Sequence, residues 1–455
     1  MGLTKSHNSK PISPLLLALA TGVFAALLLI AATNANAASS FTNTLVSHPN
    51  LNVKPTADGS NGHPSVSADG RYVAYQSGAT NLVQGDTNGL TDIFLADTKT
   101  GETHRISVAT DKSQADGGSY SPSISADGRY VAYHSLAKNL VAADSNGLSD
   151  IFLSDTKTGE TQRINLRKNG QTYDEANGPS TDASVSADGH YVAFQSDATN
   201  LVGDTNGASD IFFVDTKARD TYRISVRKNA NGTYTEANKE SFNPAISADG
   251  SHVAYESQAT NLVDNDTNVR QDIFSFNSQT GKTDLVSVSK NPAGTLEQLA
   301  SSSYSPSISS DGRYIAYDTG SWWLENQNRN MVLNVILFDT QTGNETRVSG
   351  LKTSGRRLDA NGSSSSASVS ADGHYVTYDS AASNLSSAGD TNGQTDVYRY
   401  NNQTGDNERI SLGANGTQAN DKSRFASISG DGSRVAYVTS ATNLISDADN
   451  NTFDD

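Results

Sequence analysis

The stretch Ser67-Ala68-Asp69-Gly70-Arg71-Tyr72-Val73-Ala74-Tyr75 decides the fold, because close copies of it recur along the chain. Its Ser-x-Asp-Gly element places an aspartate at positions 69, 127, 188, 249, 311, 372 and 431. Self-similarity at a nearly fixed interval, here about 60 residues, is typical of folds assembled from equivalent structural units. The sequence therefore predicts seven repeats, numbered 1 to 7 below in the order of these aspartates.

Each repeat contains four short stretches with strand character. In repeat 1, residues 64–67 and 72–77 flank the Asp69-Gly70 turn, and residues 92–97 and 104–108 follow. No segment after residue 37 shows a sustained helical period. Four-stranded units that cannot bury both faces alone bury them by packing around an axis. We expect an all-β fold, a seven-bladed β-propeller of four-stranded antiparallel blades.

The repeat resembles the WD40-like propeller repeat of the TolB type. The signature S-x-D-G-x-x-[IV]-[AT]-[FY] matches residues 67–75, 125–133, 186–194, 370–378 and 429–437. The resemblance covers essentially the whole chain after residue 37 and implies the propeller fold. Such propellers serve as binding platforms, docking surfaces and non-catalytic domains of peptidases, so the resemblance does not specify an activity.

The N-terminal 37 residues have the pattern of a secretory signal peptide. Residues 1–10 are polar and contain Lys5 and Lys10, residues 15–32 are almost wholly apolar, and Ala35-Asn36-Ala37 is a small-residue cleavage motif. We predict cleavage before Ala38, with an uncleaved membrane anchor as the alternative. The β-propeller domain then spans residues 38–455, has no membrane insertion after cleavage, and is secreted, periplasmic or at the cell surface.

The two ends of the propeller domain are expected to meet in its last blade. Residues 44–47 resemble an outermost strand, so we expect this N-terminal strand to close the blade of repeat 7. Repeat 7 reaches Asp455 at the position equivalent to Asp92, where a third strand begins in repeat 1. The last blade is therefore predicted to be incomplete. We favour a truncated sequence over an unclosed sheet.

Composition excludes several classes of function. The 455 residues carry a net charge of −16 and contain no cysteine. An acidic chain repels phosphate backbones, so nucleic-acid binding is disfavoured and cations are the more suitable ligands. Without cysteine there is no disulfide, no thiolate zinc ligand and no thiol nucleophile. We expect a monomer.

The strongest local motif is Asp-x-Asn-x-x-x-Asp, in the loop between the second and third strands. This loop and the one after the fourth strand share one face of a propeller, the long-loop rim, and the Asp-Gly hairpins lie on the opposite, hairpin rim. Hard oxygen ligands at this spacing suit calcium. The alternative is that Asp and Asn bond their own backbone as Asx-turns. The candidate calcium ligands are Asp86, Asn88, Asp92, Asp144, Asn146, Asp150, Asp204, Asn206, Asp210, Asp266, Asn268, Asp272, Asp390, Asn392 and Asp396. The motif recurs at Asp449, Asn451 and Asp455.

Repeat 5 departs from this motif. It has asparagine at positions 328, 330 and 334, and it inserts a loop that contains Trp322 and Trp323, the only two tryptophans. Paired Trp side chains on the long-loop rim would form a stacking platform for sugar rings or an anchor for a protein partner. The alternative is that they pack between repeats.

The sequence favours binding over catalysis. Neither a G-x-S-x-G elbow nor an H-E-x-x-H motif is present. We expect a secreted or periplasmic binding platform with a protein or glycan ligand on the long-loop rim, stabilised by calcium. One alternative is an enzyme that acts on glycans or esters through carboxylates gathered at the channel. The other is a non-catalytic propeller domain of a longer peptidase-like protein.

Overall fold

The fold is described from a computed structural model. The described residues are 42–48, 57–291, 293–320, 332–353, 357–386, 389–413, 416–445 and 453–455. The chain divides into two units, residues 1–42 and 43–455, and of the first only residue 42 is described. The predicted signal peptide therefore lies outside the described residues. Among the residues that are described, no helix is long and apolar enough to cross a membrane.

Six repeats each form one four-stranded antiparallel blade, with the strands hydrogen-bonded in chain order. The blades of repeats 1 to 3 consist of β1 Asn61–Val66, β2 Tyr72–Ser77, β3 Asp92–Asp97 and β4 Glu102–Arg105; β5 Ser119–Ile124, β6 Tyr130–Ser135, β7 Asp150–Asp155 and β8 Glu160–Arg163; and β11 Ser180–Val185, β12 Tyr191–Ser196, β13 Asp210–Asp215 and β14 Asp220–Arg223. The blades of repeats 4 to 6 consist of β17 Ser241–Ile246, β18 His252–Ser257, β19 Asp272–Asn277 and β20 Lys282–Leu285; β23 Ser303–Ile308, β24 Tyr314–Thr319, β25 Asn334–Asp339 and β26 Asn344–Arg347; and β29 Ser364–Val369, β30 Tyr375–Ser380, β31 Asp396–Asn401 and β32 Asn407–Arg409.

Four small hairpins follow the fourth strands of repeats 2 to 5. They are formed by β9 Leu166–Asn169 with β10 Thr172–Glu175, β15 Val226–Lys228 with β16 Tyr234–Glu236, β21 Val288–Lys290 with β22 Leu296–Gln298, and β27 Gly350–Lys352 with β28 Arg357–Asp359. Each hairpin contacts the outermost strand of the next blade. Lys228 Nζ, for example, donates to the carbonyl of Thr280 at 2.6 Å, which joins repeat 3 to repeat 4. The hairpins therefore tie neighbouring repeats together at the perimeter.

The prediction of seven four-stranded blades is wrong, because the described residues form six. Repeat 7 contributes a two-stranded sheet, β33 Ser423–Ile428 with β34 Val435–Thr439. The position where its third strand would begin is Asp455, the last residue of the sequence, and Asp455 exchanges two backbone hydrogen bonds with Thr439 at 2.9 and 3.0 Å. Residues 42–48 form no strand. Asn43 nevertheless lies against repeat 7, where its side-chain amide donates to the carbonyl of Leu444 and accepts from the hydroxyl of Tyr437.

Backbone hydrogen bonds close the seven repeats into a ring around the axis. The residue before each Asp-Gly turn donates its N–H to the carbonyl of its counterpart in the next repeat, at 2.9–3.0 Å. The last of these bonds runs from Gly430 back to Ala68, so the cycle has no open end. The members are Ala68, Ala126, Ala187, Ala248, Ser310, Ala371 and Gly430. The first strand of each repeat is therefore the innermost, and it borders a central channel.

The core lies between neighbouring repeats. One buried cluster combines Ala132 and Ile151 of repeat 2 with Val192 and Phe212 of repeat 3, and equivalent clusters occur around the ring. Each repeat thus buries its apolar faces against its neighbours, as predicted for units that cannot fold alone.

The repeated Asp69-type residues are turn formers, as predicted. Asp69 Oδ1 accepts the Ser67 hydroxyl at 2.7 Å and the Arg71 N–H at 3.0 Å, while Gly70 takes a φ of +69°. The backbone N–H of Arg71 lowers the pKa of the Asp69 carboxyl. This element fixes the start of the second strand on the hairpin rim.

Candidate functional site

The Asp-x-Asn-x-x-x-Asp loops lie between the second and third strands, and their asparagines form Asx-turns. In repeats 1 to 4 and 6 the Asn Oδ1 accepts the N–H two residues later, at 2.6–3.0 Å. The last aspartate begins the third strand and is buried; Asp92 Oδ1, for example, accepts the Ser107 hydroxyl at 2.6 Å. The same contact recurs at Asp210, Asp272 and Asp396. The Asx-turn interpretation is therefore confirmed for the asparagines.

An arginine lies between the two aspartates in four of the predicted calcium loops. In repeat 3, Arg223 Nη1 lies 3.1 Å from Asp204 Oδ1 and 3.0 Å from Asp210 Oδ2. The arginine comes from the last residue of the blade's fourth strand, and its side chain is only 6% exposed. The equivalents in repeats 1, 2 and 6 are Arg105 with Asp86 and Asp92, Arg163 with Asp144 and Asp150, and Arg409 with Asp390 and Asp396. In these four loops an arginine of the same blade therefore supplies positive charge to the two aspartates.

The loop of repeat 4 has no such arginine. Leu285 stands at the position of Arg223, and the side-chain amide of Gln298 donates instead to Asp266 Oδ1 at 2.8 Å and to Asp272 Oδ2 at 3.0 Å. Burial, together with the nearby charge of Asp266, raises the pKa of Asp272 to about 7. Asp266 and Asp272 therefore share the neutral amide of Gln298, whereas the aspartates of repeats 1, 2, 3 and 6 contact a positively charged arginine.

The turns after the fourth strands are hydrogen-bonded to the loops that follow the second strands of the next repeats. We call each such pair of hydrogen bonds a clasp. Asn177 Oδ1 accepts the Thr199 N–H at 2.8 Å, and Asn200 Oδ1 accepts the Asn177 N–H at 3.0 Å. Equivalent clasps are built on Asp58, Asp116, Asn238, Asn361 and Asn420. These residues join neighbouring loops through hydrogen bonds.

Calcium binding stays a prediction for these loops. Within the described ranges, no group of three or more His, Cys, Asp or Glu side chains is placed to hold a metal ion. Trp322 and Trp323 lie outside the described residues, so their proposed ligand-binding role also stays a prediction.

Val269 is a strained position in the loop of repeat 4. It takes a φ of +57° and is 66% exposed, whereas repeats 1, 2, 3 and 6 have glycine there. A β-branched residue in the left-handed region costs about 1–2 kcal/mol. Val269→Gly is therefore expected to raise the free energy of unfolding by about 1 kcal/mol, measured by urea denaturation. Gly207→Val in repeat 3 should lower it by a similar amount, and a Val269→Gly protein that is less stable than the parent would contradict this assignment.

A second set of residues, missed by the sequence analysis, lines the central channel. Each first strand carries a β-bulge whose central residue has a φ of about +50°, although none of these residues is glycine. First strands run from the long-loop rim toward the ring of Ala68-type residues. The bulges therefore lie on the long-loop side of that ring, at the channel mouth. They are centred on His63, Ser121, Asp182, Asn243, Ser305, Ser366 and Phe425.

Three buried carboxylates of the second strands support these bulges. Glu256, Asp318 and Asp379 are 2%, 3% and 4% exposed. Each accepts the backbone N–H of the bulge residue in the next repeat, from Ser305 at 2.5 Å, from Ser366 at 3.1 Å and from Phe425 at 2.9 Å, respectively. The bonds order the channel mouth across the boundaries between repeats.

Burial dominates the ionisation of these carboxylates. It raises the pKa of Asp379 to about 7, against the lowering effects of the Phe425 N–H and the Arg424 charge. Burial also raises the pKa of Glu256 and places that of Asp318 well above its usual value. Clusters of carboxyl groups with shifted pKa values in a concave site are typical of functional regions, although structural networks of ion pairs also produce them.

The channel mouth is chemically asymmetric. Repeats 3 to 6 contribute the acidic arc, defined as Asp182, Glu256, Asp318 and Asp379. Exposed aromatic rings lie on the same first strands: Tyr304 is 37% exposed and Phe425 is 38% exposed. The Phe425 ring stacks on that of His63 with centroids 5.3 Å apart. The mouth thus combines hydrogen-bond acceptors with accessible rings.

A sequence signal for the arc does exist. The residue before the final Ser or Thr of each second strand is Gln76, His134, Gln195, Glu256, Asp318, Asp379 or Val438. Acidic residues at a position flanked by buried ones are costly unless they have a partner or a function. Comparison of this position across the repeats would have singled out Glu256, Asp318 and Asp379, three of the four members of the acidic arc.

Comparisons with known proteins find similarity to solved β-propeller structures. No family model and no curated protein matches it. Among solved structures it is similar to the β-propeller domain of the trilobed protease from Pyrococcus furiosus, with 13% identity and a TM-score of 0.48 over 85% of this chain and 93% of that one. A putative TolB from Agrobacterium tumefaciens is 16% identical with a TM-score of 0.39, over 63% and 79%. An oligogalacturonate lyase from Vibrio parahaemolyticus is 13% identical with a TM-score of 0.48, over 84% and 88%.

These matches agree with the architecture seen in the strand pairing. The chain is an all-β propeller of four-stranded antiparallel blades, and TolB-type propellers are among the structures it resembles. At these identities the likeness concerns the fold and says nothing of activity.

Proposed function

We propose that this chain is an exported propeller that binds a ligand at the channel mouth on the long-loop rim. The observation that carries the proposal is the acidic arc beside the exposed rings of Tyr304 and Phe425. Concave sites that combine a few convergent polar groups with apolar walls are the usual place for ligands. The perimeter hairpins and the Asp loops offer no comparable combination, because their polar groups are engaged between repeats or with arginine.

The ligand class follows from the chemistry of the mouth. Carboxyl oxygen atoms accept hydrogen bonds, so the half-buried Asp182 side chain suits a ligand with many donors. Aromatic rings stack on the apolar faces of sugars and also anchor protein side chains. A glycan with amino or hydroxyl groups satisfies both features, and we favour it over a lysine-rich protein segment.

Export and calcium are also part of the proposal. The pattern of residues 1–37 supports delivery to the periplasm, the cell surface or the medium as a monomer. Calcium bound in an Asp loop would stabilise the long-loop rim.

A glycan array that contains chitosan and chitin oligosaccharides, with a lysine-rich peptide alongside, tests the binding proposal. Asp182 is the half-buried member of the acidic arc, and Asp182→Asn keeps its size while removing its charge. We expect Asp182→Asn and Phe425→Ala each to weaken glycan binding by at least about tenfold, the value of one lost charged or aromatic contact. Tyr222→Ala removes a ring that is 53% exposed on the perimeter strand β14 and should leave binding unchanged.

Two results would argue against the proposal. Equal losses in all three variants would mean that the channel mouth is not the binding surface. Capture of the peptide alone would replace the glycan by a protein segment.

A further inference from the structure

Three of the four arginines of the Asp loops share a set of acceptors. Arg163, Arg223 and Arg409 each contact both aspartates of the loop. Each also donates to the carbonyl of the residue before the first aspartate, at 2.8–3.1 Å. In these repeats a guanidinium therefore occupies a socket of hard oxygen atoms, made from the two aspartates and one main-chain carbonyl. In repeats 2 and 3 a third carboxylate, from Glu175 or Glu236, also contacts it.

Repeat 4 keeps the two aspartates of this socket and lacks the cation. Its sequence supplies Asp266, Asp272 and, at the carbonyl position, Asn265. Leu285 replaces the arginine, and no ion pair to Asp266 or Asp272 is found among the described residues. The Gln298 amide bridges the two carboxylates but brings no charge.

A buried atom without a partner marks the same place. Asp266 is 8% exposed, and its Oδ2 atom is buried with no hydrogen-bond partner in the described part of the chain. Leaving a carboxylate oxygen desolvated and unpaired costs more than a neutral group would. Asp86 Oδ2 of repeat 1 is also buried without a hydrogen-bond partner, but there the charge of Arg105 offsets the cost, and repeat 4 has no such cation.

We propose that the Asp266–Asp272 loop of repeat 4 binds a calcium ion in the place that arginine takes in the other repeats. The inference deepens the calcium component of the proposed function and is independent of the glycan site. Calcium accepts carboxylate, amide and main-chain oxygen ligands in irregular geometry, whereas magnesium demands a near-ideal octahedron. Two carboxylates balance the charge of one divalent ion. Of the five loops with complete described motifs, only this one is assigned a metal.

Isothermal titration calorimetry with calcium chloride, after removal of metals by EDTA, tests this inference. The parent chain should bind one calcium ion. Leu285→Arg restores the arginine of the other repeats and should abolish binding. Arg105→Leu converts repeat 1, which has Gln114 at the position of Gln298, into a copy of repeat 4 and should add a second ion. A thermal melt should show the parent stabilised by calcium and the Leu285→Arg protein unaffected.

A second pair of variants covers the case in which Leu285→Arg fails to fold, since Leu285 packs against the core. Asp266→Asn should lose calcium, and Asp86→Asn, the matched change in repeat 1, should retain it. No calcium uptake by the parent, or equal uptake by the parent and Asp266→Asn, would overturn the inference. Either result would leave the glycan proposal intact, because Asp182 and Phe425 belong to the channel mouth.

Discussion

Replacing Arg223 by methionine is expected to lower the free energy of unfolding by about 3–5 kcal/mol at pH 7, the cost of removing one partner from a buried ion pair. Arg223 contacts Asp204 and Asp210, and its Nη2 atom lies 2.6 Å from Glu236 Oε1. Methionine fills much of the same volume but leaves three carboxylates without a cation. The measurement is urea denaturation, and the loss should shrink toward pH 5 as the carboxylates take up protons.

Arg71→Met provides the matched control. The Arg71 side chain is 38% exposed, and its 2.6 Å pair with Asp97 lies at the surface, so the expected loss is small compared with that of Arg223→Met. Equal effects of the two substitutions would show that the Asp loops do not depend on their arginines. The difference between repeat 4 and the repeats with an arginine would then not affect stability.

Asp379→Asn is expected to raise the free energy of unfolding at pH 8 by up to about 4 kcal/mol, the equivalent of a pKa raised from 3.8 to about 7. Asparagine retains an acceptor for the Phe425 N–H. Because the pKa is higher in the folded state, the folded chain binds the proton more tightly than the unfolded chain. The stability associated with Asp379 is therefore complete below pH 4 and is lost as the pH rises toward 7.

The dependence of the free energy of unfolding on pH distinguishes the loss of the Asp379 charge from a general change in stability. Asp379→Asn should flatten the decline in stability between pH 4 and pH 7, and the part that remains should come from Asp318 and Glu256, whose pKa values burial also raises. Glu102→Gln, at a side chain 66% exposed, should leave the profile unchanged. An Asp379→Asn protein that is less stable at pH 8 would show that the ionised carboxylate is favourable in the channel.

Much of the fold could be predicted from the sequence because its signals are local. The Asp69-Gly70 turn combines an Asx-turn with a positive φ at glycine, both of which depend on neighbouring residues only. The number of four-stranded blades could not be predicted from local signals. It depends on which residues pair with β34, and the structure pairs Thr439 of this strand with Asp455, 16 positions further along the chain.

The motif of the Asp loops did not predict the arginine that pairs with its aspartates. The sequence motif places Asp86 and Asp92 together, but the cation that neutralises them is Arg105, on the neighbouring strand and 13 residues beyond Asp92. Pairing of Phe94 with Arg105 in the sheet brings the two together. Aligning the repeats would have revealed both this arginine and its replacement by Leu285.

The acidic arc could not be recognised from alternation alone. Asp318 and Asp379 occupy strand positions that in other repeats hold glutamine, histidine or valine, and the pattern does not tell which side of a blade borders the channel. That information comes from the backbone ring through Ala68 and Gly430, which makes the first strand innermost.

Hydrogen–deuterium exchange with and without a bound chitosan oligosaccharide would locate the ligand on the chain. Binding at the channel mouth should slow exchange in the first strands that carry the bulges at Asp182, Ser305 and Phe425, with the Asp loops and the perimeter hairpins unchanged. Protection confined to the Asp loops or the perimeter hairpins, with none in the first strands, would contradict the assignment of the channel mouth as the binding site.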